Sequence, residues 1–330
     1  MRRGFLFGKF MPPHAGHVHL CETARRLVDR LTILVCWLPD DPIPGPLRLG
    51  WMRELFPTCR VIGHEGIVPS QAGDDPDFRA AWREILRAAH PEPINRLFAG
   101  DAGGEKLAEA VGAAFVPVAP RLHPDLSGSA VRADPWAHWP LLPAPVRPYY
   151  AHTACLHGPE STGKSILAER LARHFGTAWT PEYGRVHCET FGFDLDAAGL
   201  VTIAEVQQAM IAASLQWCDR RLIADTDALT TAAWSIMILG HVPEDLVMAP
   251  LADLYLLTDI DVPWQDDGTR YFPDGERRRK FMQACRDVLD QAGATWVEIS
   301  GSWEERFAKA VAAIEALGPG NSEPSSLRGA

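Results

Sequence analysis

Short apolar segments alternate with longer amphipathic ones along the whole chain, and this alternation predicts a series of strands and helices. A short apolar run fits a buried strand, whereas apolar residues that recur with helical periodicity fit a helix with one buried face. In the first half the pattern predicts strands near 4–8, 31–37, 59–62, 95–99 and 114–117, and helices near 16–29, 47–55, 77–89 and 104–111. Strict alternation of strand and helix is typical of an α/β fold with a doubly wound parallel sheet.

The alternation stops between His123 and Tyr150, and this break predicts a domain boundary. Prolines interrupt any regular element there, because proline lacks a backbone N–H and clashes with the preceding turn. They stand at positions 135, 140, 143, 145 and 148. We therefore expect two α/β domains, 1–147 and 148–318, followed by a disordered, small and polar tail at 319–330.

A second α/β cycle begins after this boundary. It predicts strands near 152–158, 177–180, 221–226, 253–258 and 295–299, and helices through His174 and near 200–219, 228–239, 274–291 and 303–316. The second domain is therefore expected to contain a parallel sheet of its own.

The segment GPESTGKS, at 158–165, matches the phosphate-binding pattern G-x-x-x-x-G-K-S in full. It lies between a predicted strand and a predicted helix, which is the context that this motif requires. Glycines let backbone N–H groups turn toward phosphate, and the helix N-terminus adds positive potential. The expected ATP- and phosphate-binding residues are Gly158, Glu160, Ser161, Thr162, Gly163, Lys164 and Ser165, with Lys164 catalytic and Ser165 also a Mg²⁺ ligand.

A carboxylate at the end of a second strand is expected to complete the magnesium site. The run RLIADTD supplies Asp225 and Asp227 after an apolar segment. Asp225 is the predicted metal ligand and a catalytic residue. Capping of the following helix remains an alternative for Asp227.

Two polar segments favour a kinase acting on a small acceptor. PEYGR, at 181–185, follows the second strand of the domain, where a carboxylate can accept a hydroxyl proton beside the γ-phosphate. Glu182 is therefore a candidate base or ribose ligand. The segment 263–281 contains cations that can close over a transferring phosphate, although a solvated helix face also explains the run at 277–280. These cations are Arg270, Arg277, Arg278, Arg279 and Lys280.

FGKFMPPHAGH, at 7–17, places two histidines between the first strand and the first helix, at the sheet edge where ligands bind in open α/β folds. The string resembles the H-x-G-H signature of nucleotidyltransferases. The resemblance implies that His14 and His17 are catalytic. It also implies ATP or phosphate binding by Gly8, Lys9, Phe10 and Gly16.

LSGSAVRADP, at 126–135, resembles the I-S-x-T/S-x-x-R motif that accompanies this signature. Ser127 and Ser129 offer hydroxyl groups to phosphate, and Arg132 offers a planar fork of donors. An N-capped helical turn is the alternative. With both motifs present, in-line adenylyl transfer needs only positioning and charge neutralisation by His14, His17, Arg132 and Mg²⁺.

Together, GPESTGKS, PEYGR, ADTD and PWQDDGTR resemble the ribosylnicotinamide kinase domain of the bifunctional NadR-type proteins, which also carry a nicotinamide-mononucleotide adenylyltransferase domain. The resemblance covers about 1–316 and implies an N-terminal Rossmann-like nucleotidyltransferase sheet and a C-terminal P-loop kinase sheet. It implies nicotinamide riboside, nicotinamide mononucleotide, ATP and NAD as ligands, with ATP and Mg²⁺ as cofactors.

The same resemblance implies specific substrate-binding residues. Tyr183 and Arg185, with Glu182, would shape the acceptor site. Trp264, Asp267 and Arg270 would bind nicotinamide riboside or close over it, with ordinary packing as the alternative for Trp264. Two further tryptophans, Trp51 and Trp82, are candidates for nicotinamide stacking or core packing.

The likeness weakens at 98–113, where family members usually show a Ser-Glu pair and a tyrosine before Gly-Glu. Gly100, Asp101 and Gly103 stand there instead. This departure motivates an alternative in which the first domain senses ATP or NAD without catalysis. A second alternative keeps both folds but fuses another nucleoside kinase to a different adenylyltransferase.

Composition limits the classes of partner. The formal net charge is −10 over 330 residues, which disfavours a protein that binds mainly nucleic acid. The first motif begins at Gly8, so we expect no DNA-binding helix-turn-helix before it. Seven scattered cysteines indicate reduced thiols, and no continuous apolar run approaches the roughly 18 residues that span a bilayer. We expect a cytoplasmic protein without membrane contact, and the sequence leaves a homo-oligomer open.

Overall fold

The computed structural model describes residues 1–68, 76–100, 103–118, 126–246, 250–265, 271–272 and 274–318. The chain divides into two compact units, Met1–Val146 and Arg147–Ala330. Each unit contains a five-stranded parallel sheet with helices packed against it, so the predicted α/β class with two parallel sheets is confirmed. The predicted tail at 319–330 lies outside the described residues.

The first unit alternates strand and helix as the apolar pattern predicted. Its strands are β1 (Arg3–Gly8), β2 (Arg30–Trp37), β3 (Arg60–Glu65), β4 (Arg96–Ala99) and β5 (Ala114–Pro117). Its helices are α1 (Ala15–Leu27), α2 (Gly45–Leu55), α3 (Pro76–Ala89), α4 (Gly103–Val111) and α5 (Gly128–Ala133), followed by 3₁₀ turns at Trp139–Leu141 and Ala144–Val146.

The sheet of the first unit has the order β3-β2-β1-β4-β5. Successive strand residues point to opposite faces, so each strand contributes to two cores. Leu6 and Ile33 pack with α1 and α2 on one face, whereas Phe5 and Leu34 pack with α3 and α4 on the other. The strand order reverses between β1 and β4, and this switch point is where open α/β sheets bind ligands.

The second unit repeats the architecture with different connections. Its strands are β6 (His152–His157), β7 (Trp179–Thr180), β8 (Arg221–Asp225), β9 (Leu254–Thr258) and β10 (Trp296–Ile299). Its helices are α6 (Arg147–Tyr150), α7 (Lys164–Phe175), α8 (Tyr183–Phe191), α9 (Ala197–Leu215), α10 (Ala228–Leu239), α11 (Gly275–Gln291) and α12 (Trp303–Glu315).

The central strand of the second sheet leads directly into the phosphate-binding motif. The sheet order is β10-β9-β6-β8-β7, and every residue of β6 is buried. Helices α7 and α12 cover one face, where Leu167 and Ile314 pack against Leu156 and Leu256. A fully covered central strand gives the loop that follows it a rigid origin.

Helices α6, α8 and α9 differ from the sequence prediction, and α6 and the two 3₁₀ turns form in the proline-rich stretch where no regular element was predicted. Helix α8 was not predicted, and α9 begins earlier than expected because Asp196 caps it by accepting a hydrogen bond from the Gly199 N–H at 2.8 Å. By length and composition alone, α9 is the one described helix that is long and apolar enough to cross a membrane. It packs against α8, α10, β7 and β8, and its buried residues include Leu200 and Ile203.

Candidate functional site

The phosphate loop of the second unit follows β6 and needs glycine at two positions. Gly158 has φ 133° and Gly163 has φ 83°, both in the left-handed region that other residues rarely adopt. A β-carbon on Gly158 would lie 2.7 Å from Thr258 Oγ1, and one on Gly163 would collide with the ring of Trp303. The loop is therefore held closely against β9 and α12.

Lys164 lies inside this loop. Its Nζ donates to the carbonyl oxygens of Gly158 at 2.9 Å and Pro159 at 2.8 Å. The side chain is buried, so its ammonium group is oriented by loop carbonyls rather than by bulk water. Such a lysine is placed to neutralise the charge of phosphate oxygens that the same loop would hold.

A buried arginine braces the loop from α12. Arg306 is 1% exposed and donates to the carbonyl oxygens of Thr162 at 3.1 Å, Asp259 at 2.9 Å and Gly301 at 3.0 Å. It also pairs with Asp261. Sequence reasoning missed this residue, because an arginine in an amphipathic C-terminal helix gives no local signal of burial.

Asp225 ends β8 beside the loop and carries an unsatisfied oxygen. Its Oδ1 is buried and has no hydrogen-bond partner within the described part of the chain. The pKa of Asp225 is raised to about 6, mainly by burial and then by the Glu182 carboxylate, while the Ser165 hydroxyl, Lys164 and Arg185 oppose the shift. A carboxylate that accepts a hydrogen bond from the Ser165 hydroxyl and keeps one unsatisfied oxygen suits a hard divalent cation, so these residues fit Mg²⁺.

Asp227 has a different task from Asp225. It caps α10 by accepting hydrogen bonds from the N–H groups of Leu229 at 3.0 Å and Thr230 at 3.3 Å. Its second oxygen accepts from the hydroxyl of Tyr255 at 2.5 Å. Because all its described contacts are structural, the helix-capping alternative accounts for this residue.

A pocket opens next to Lys164, and several of the predicted residues line it. Glu160, Lys164, Glu182 and Arg185 line it, so the loop and the PEYGR segment face the same space. Apolar and hydroxyl groups complete the lining, namely Cys188, Phe193, Leu195, Leu200, Ile203, Thr226, Thr230, Thr231, Trp234 and Tyr271. A mixed lining of aromatic rings and a few charges is typical of a small-molecule site.

Gln207 of α9 fixes the PEYGR segment. Its side-chain oxygen accepts from the Tyr183 N–H at 2.7 Å, and its amide donates to the carbonyl oxygens of Pro181 at 3.2 Å and Thr226 at 3.3 Å. The side chain is 1% exposed. Sequence reasoning missed this residue as well, although a glutamine on an otherwise apolar helix face is a signal that could have found it.

The cationic run at 277–280 mostly faces solvent. Arg277 pairs with Asp274 and Lys280 with Glu276 on the exposed side of α11, and Arg279 is also exposed. Arg278 differs from the other three because its side chain is buried. The solvated-face alternative therefore describes Arg277, Arg279 and Lys280.

Three residues that the family resemblance implied as substrate-binding lie within 263–270. Asp267 and Arg270 lie outside the described residues. Trp264 is half-buried, and its indole Nε1 has no hydrogen-bond partner within the described ranges. The neighbouring Gln265 exchanges hydrogen bonds with the Ser161 hydroxyl at 2.8 and 3.1 Å, so this segment begins against the phosphate loop.

In the first unit the two histidines stack on each other at the start of α1. The ring centroids of His14 and His17 are 3.8 Å apart, and Phe10 packs edge-on against His17 at 5.1 Å. His14 caps α1 by accepting from the Gly16 N–H at 3.2 Å. The string around Gly8 and Lys9 therefore forms a compact turn at the switch point of the sheet.

Burial makes both imidazoles weak bases. It lowers the pKa of His14 to about 4, with a smaller effect from His138, and that of His17 to about 3, with a smaller effect from His14. Both rings are thus neutral near pH 7 in the free protein. In the free protein they act as hydrogen-bonding groups, and their neutralisation of charge on a bound nucleotide stays a prediction.

The second nucleotidyltransferase motif meets the first one directly. Arg132 of α5 donates to the Met11 carbonyl oxygen at 2.5 Å, and a β-carbon on Gly128 would lie 2.5 Å from the same oxygen. Ser127 caps α5, and its hydroxyl lies 3.0 Å from that of Ser129. The N-capped turn and the motif are therefore the same structure, with Ser127 and Arg132 holding it together.

Arg48 was missed by sequence reasoning although it organises the first motif. It is fully buried in α2 and donates to the Lys9 carbonyl at 2.6 Å, the Cys36 carbonyl at 3.3 Å and Asp41 Oδ2 at 2.7 Å. Lys9 Nζ also reaches Asp41 at 3.5 Å. Of this helix, only Trp51 was a candidate from the sequence.

The two candidate tryptophans of the first unit are both buried. Trp82 is 0% exposed and packs edge-on against Phe7 with ring centroids 4.5 Å apart. Trp51 is 6% exposed on α2. The structure thus places Trp82 in the core between α3 and the sheet, while Asp101 of the divergent segment lies outside the described residues.

Comparisons with known proteins cover both units. Residues 153–306 match the model of a family described as an AAA domain. The trifunctional NAD biosynthesis/regulator protein NadR of Escherichia coli strain K12 is 26% identical over 340 residues, which cover 95% of this chain and 83% of the relative.

Two solved structures of NadR protein share the fold. The structure in complex with NR has a TM-score of 0.76 at 21% identity, covering 96% of this chain and 95% of that one. The structure in complex with NAD and AMP-PNP has a TM-score of 0.75 at 21% identity, covering 98% and 97%. Both likenesses extend over the two units rather than one of them.

The depressed basicity of the histidine pair gives a testable pH dependence. In the folded protein, imidazole NMR signals of His14 and His17 should keep neutral shifts from about pH 8 down to about pH 5, because the buried rings resist protonation. In the urea-denatured chain both should titrate near 6.5. Acidification below that value should also lower the free energy of unfolding, since only the unfolded histidines gain protons until pH nears 4 and 3.

Protonation of either ring in the folded protein near pH 6.5 would show that the pair is exposed to water.

The close approach of the two motifs predicts a severe effect of Gly128→Ala. The added β-carbon collides with the Met11 carbonyl, so we expect destabilisation by about 1–3 kcal/mol. Weaker MgATP binding should accompany it, measured by calorimetry. Gly50→Ala is the control, because its β-carbon would meet nothing within 4 Å in the middle of α2. Equal melting temperatures for the two variants would contradict the close approach.

Proposed function

Since the chain is a NadR-type protein by sequence and by fold, we propose that it is a two-site enzyme of NAD salvage. The second unit would phosphorylate nicotinamide riboside with ATP, and the first would adenylate the resulting mononucleotide to give NAD. We assign the activities to domains at 1–147 and 148–318. The observation that carries the proposal is a phosphate loop that opens onto a pocket lined by Glu182, Arg185 and aromatic side chains.

In the kinase step, the 5′-hydroxyl oxygen of the riboside attacks the γ-phosphorus of ATP. The bond between that phosphorus and the bridging oxygen breaks, ADP leaves, and the hydroxyl proton passes to Glu182. Glu182 and Arg185 line the pocket beside Lys164, which supports these roles. Asp225 and Ser165 would hold Mg²⁺, which when bound neutralises developing phosphate charge.

In the adenylyl step, a phosphate oxygen of nicotinamide mononucleotide attacks the α-phosphorus of ATP, and pyrophosphate leaves without a covalent enzyme intermediate. Neutral His14 and His17 would hydrogen-bond the polyphosphate, while Arg132 supplies the positive charge. The contact between Arg132 and the Met11 carbonyl supports this arrangement, because it brings the arginine next to the histidine-bearing loop.

We also propose a cytoplasmic location for the protein. All seven cysteines are free thiols, and six of them are buried. Reduced cysteines in this arrangement fit the redox conditions of the cytosol.

Two substitutions should separate the activities. Lys164→Ala should lower formation of nicotinamide mononucleotide from the riboside by about 100-fold or more, while NAD formation from the mononucleotide persists. His17→Ala should have the reverse effect. A coupled assay with riboside, ATP and Mg²⁺ that resolves mononucleotide from dinucleotide measures both.

Loss of both activities from either change, in protein that keeps its circular dichroism spectrum, would contradict separable sites. Turnover of a deoxynucleoside, with none of nicotinamide riboside, would favour the other kinase alternative. Pyrophosphate release by wild type, lost in His17→Ala, would exclude the sensor alternative.

A further substitution decides between the two roles open to Glu182. If it is the base, Glu182→Gln should lower kcat by about 100-fold while the KM for nicotinamide riboside changes little. A ribose ligand would instead raise that KM with a smaller effect on kcat. Steady-state kinetics at saturating ATP distinguish the two, and Glu189→Gln serves as a control because Glu189 lies exposed on α8, which begins directly after Glu182.

A further inference from the structure

Glu160 of the phosphate loop is bound to backbone amides of a distant segment. Its Oε1 accepts from the N–H groups of Tyr271 at 3.0 Å and Phe272 at 2.6 Å, and its Oε2 accepts from Tyr271 at 3.0 Å. The side chain is 3% exposed. These partners differ from the ATP or phosphate that its place in the motif predicted.

Electrostatics argues against direct phosphate contact by this carboxylate. A negative group facing a polyphosphate would repel it, so a glutamate in a phosphate loop needs donors elsewhere. Two backbone amides supply them. Burial lowers the pKa of the nearby Arg278 guanidinium, and the Glu160 carboxylate opposes this shift. Arg278 in turn donates to the Val262 carbonyl at 3.3 and 3.4 Å.

The segment that Glu160 holds forms one side of the acceptor pocket. We call Phe193, Trp234 and Tyr271 the aromatic wall, because all three line the pocket. Tyr271 lies 5.4 Å from Trp234 and 6.1 Å from Phe193 between ring centroids, and its hydroxyl donates to the Phe193 carbonyl at 2.5 Å. Phe272 stacks behind Trp234 with its ring centroid 5.7 Å away.

We propose that Glu160 is a positioning residue for the acceptor, which ties the aromatic wall to the phosphate loop. The flat face that meets an acceptor base is thereby fixed relative to the phosphate that the loop holds. Because group transfer depends on the relative placement of both reactants, loss of this tie should weaken acceptor use more than ATP binding. The proposal rests on the kinase function of the second unit.

Two substitutions at Glu160 test how far its hydrogen bonds to Tyr271 and Phe272 support use of the acceptor. Glu160→Gln keeps an oxygen that can accept both amides and loses the contact through the second oxygen, so the KM for nicotinamide riboside should rise about 3- to 10-fold. Glu160→Ala removes all three contacts, and the KM should rise about 30- to 100-fold. For both variants the KM for ATP and the calorimetric affinity for MgATP should stay within about 2-fold of wild type.

Thr162→Val provides the matched contrast within the same loop. The Thr162 hydroxyl donates to the Pro159 carbonyl at 2.8 Å and lies 2.7 Å from the Thr258 hydroxyl, away from the aromatic wall. This variant should weaken ATP more than the riboside. If Glu160 instead bound nucleotide or metal, both Glu160 variants would resemble Thr162→Val, and Gln would be as damaging as Ala because the lost charge is common to both.

Amide hydrogen exchange measures the hydrogen bonds between Glu160 and the amides of Tyr271 and Phe272, and it needs no bound acceptor. In Glu160→Ala the amides of Tyr271 and Phe272 should exchange at least about 10-fold faster than in wild type, whereas amides of β6 keep their protection. Unchanged exchange at these two amides overturns the proposal whether or not the protein phosphorylates nicotinamide riboside. Absence of riboside turnover in wild type, with faster exchange in the variant, overturns the proposed substrate and leaves the tie standing.

Discussion

Both sites depend on backbone approaching backbone so closely that no β-carbon fits between them. In the second unit Gly158 lies against Thr258, so the phosphate loop rests on the neighbouring strand. In the first unit Gly128 lies against the Met11 carbonyl, so α5 rests on the loop that follows β1. Such contacts place N–H groups and short side chains at a fixed distance from the sheet edge, which is what a polyphosphate needs.

Burial then shifts the pKa values of different groups in the two sites. In the first unit burial lowers the pKa of His14 and of His17, so both rings favour the neutral form in the free protein. In the second unit it leaves Asp225 with a raised pKa and an unsatisfied oxygen beside Lys164. The two candidate nucleotide sites therefore differ in their buried groups. The first has neutral imidazole rings that can form hydrogen bonds, and the second has a carboxylate that can bind a cation.

The fold was predictable because strands and helices differ in apolar period, and the two loop motifs were predictable because their glycines and charged residues fall within a few positions of each other. Arg48, Gln207 and Arg306 were not predictable, since each reaches carbonyl groups that are distant in sequence. For Glu160, contacts that are distant in sequence made the predicted role differ from the observed one. Its place in a phosphate motif suggested a phosphate ligand, whereas its hydrogen bonds join Tyr271 and Phe272.

The brace that Arg306 provides has a consequence for protein synthesis. Its donation to the Thr162 carbonyl joins a loop to a helix that the ribosome makes 144 residues later. During translation the phosphate loop of the second unit cannot form its hydrogen bond to Arg306 until α12 has left the exit tunnel. By contrast, every strand and helix of the first unit lies within Met1–Val146. The nascent chain should therefore gain its two nucleotide sites in order, with the N-terminal one complete while the other is still being made.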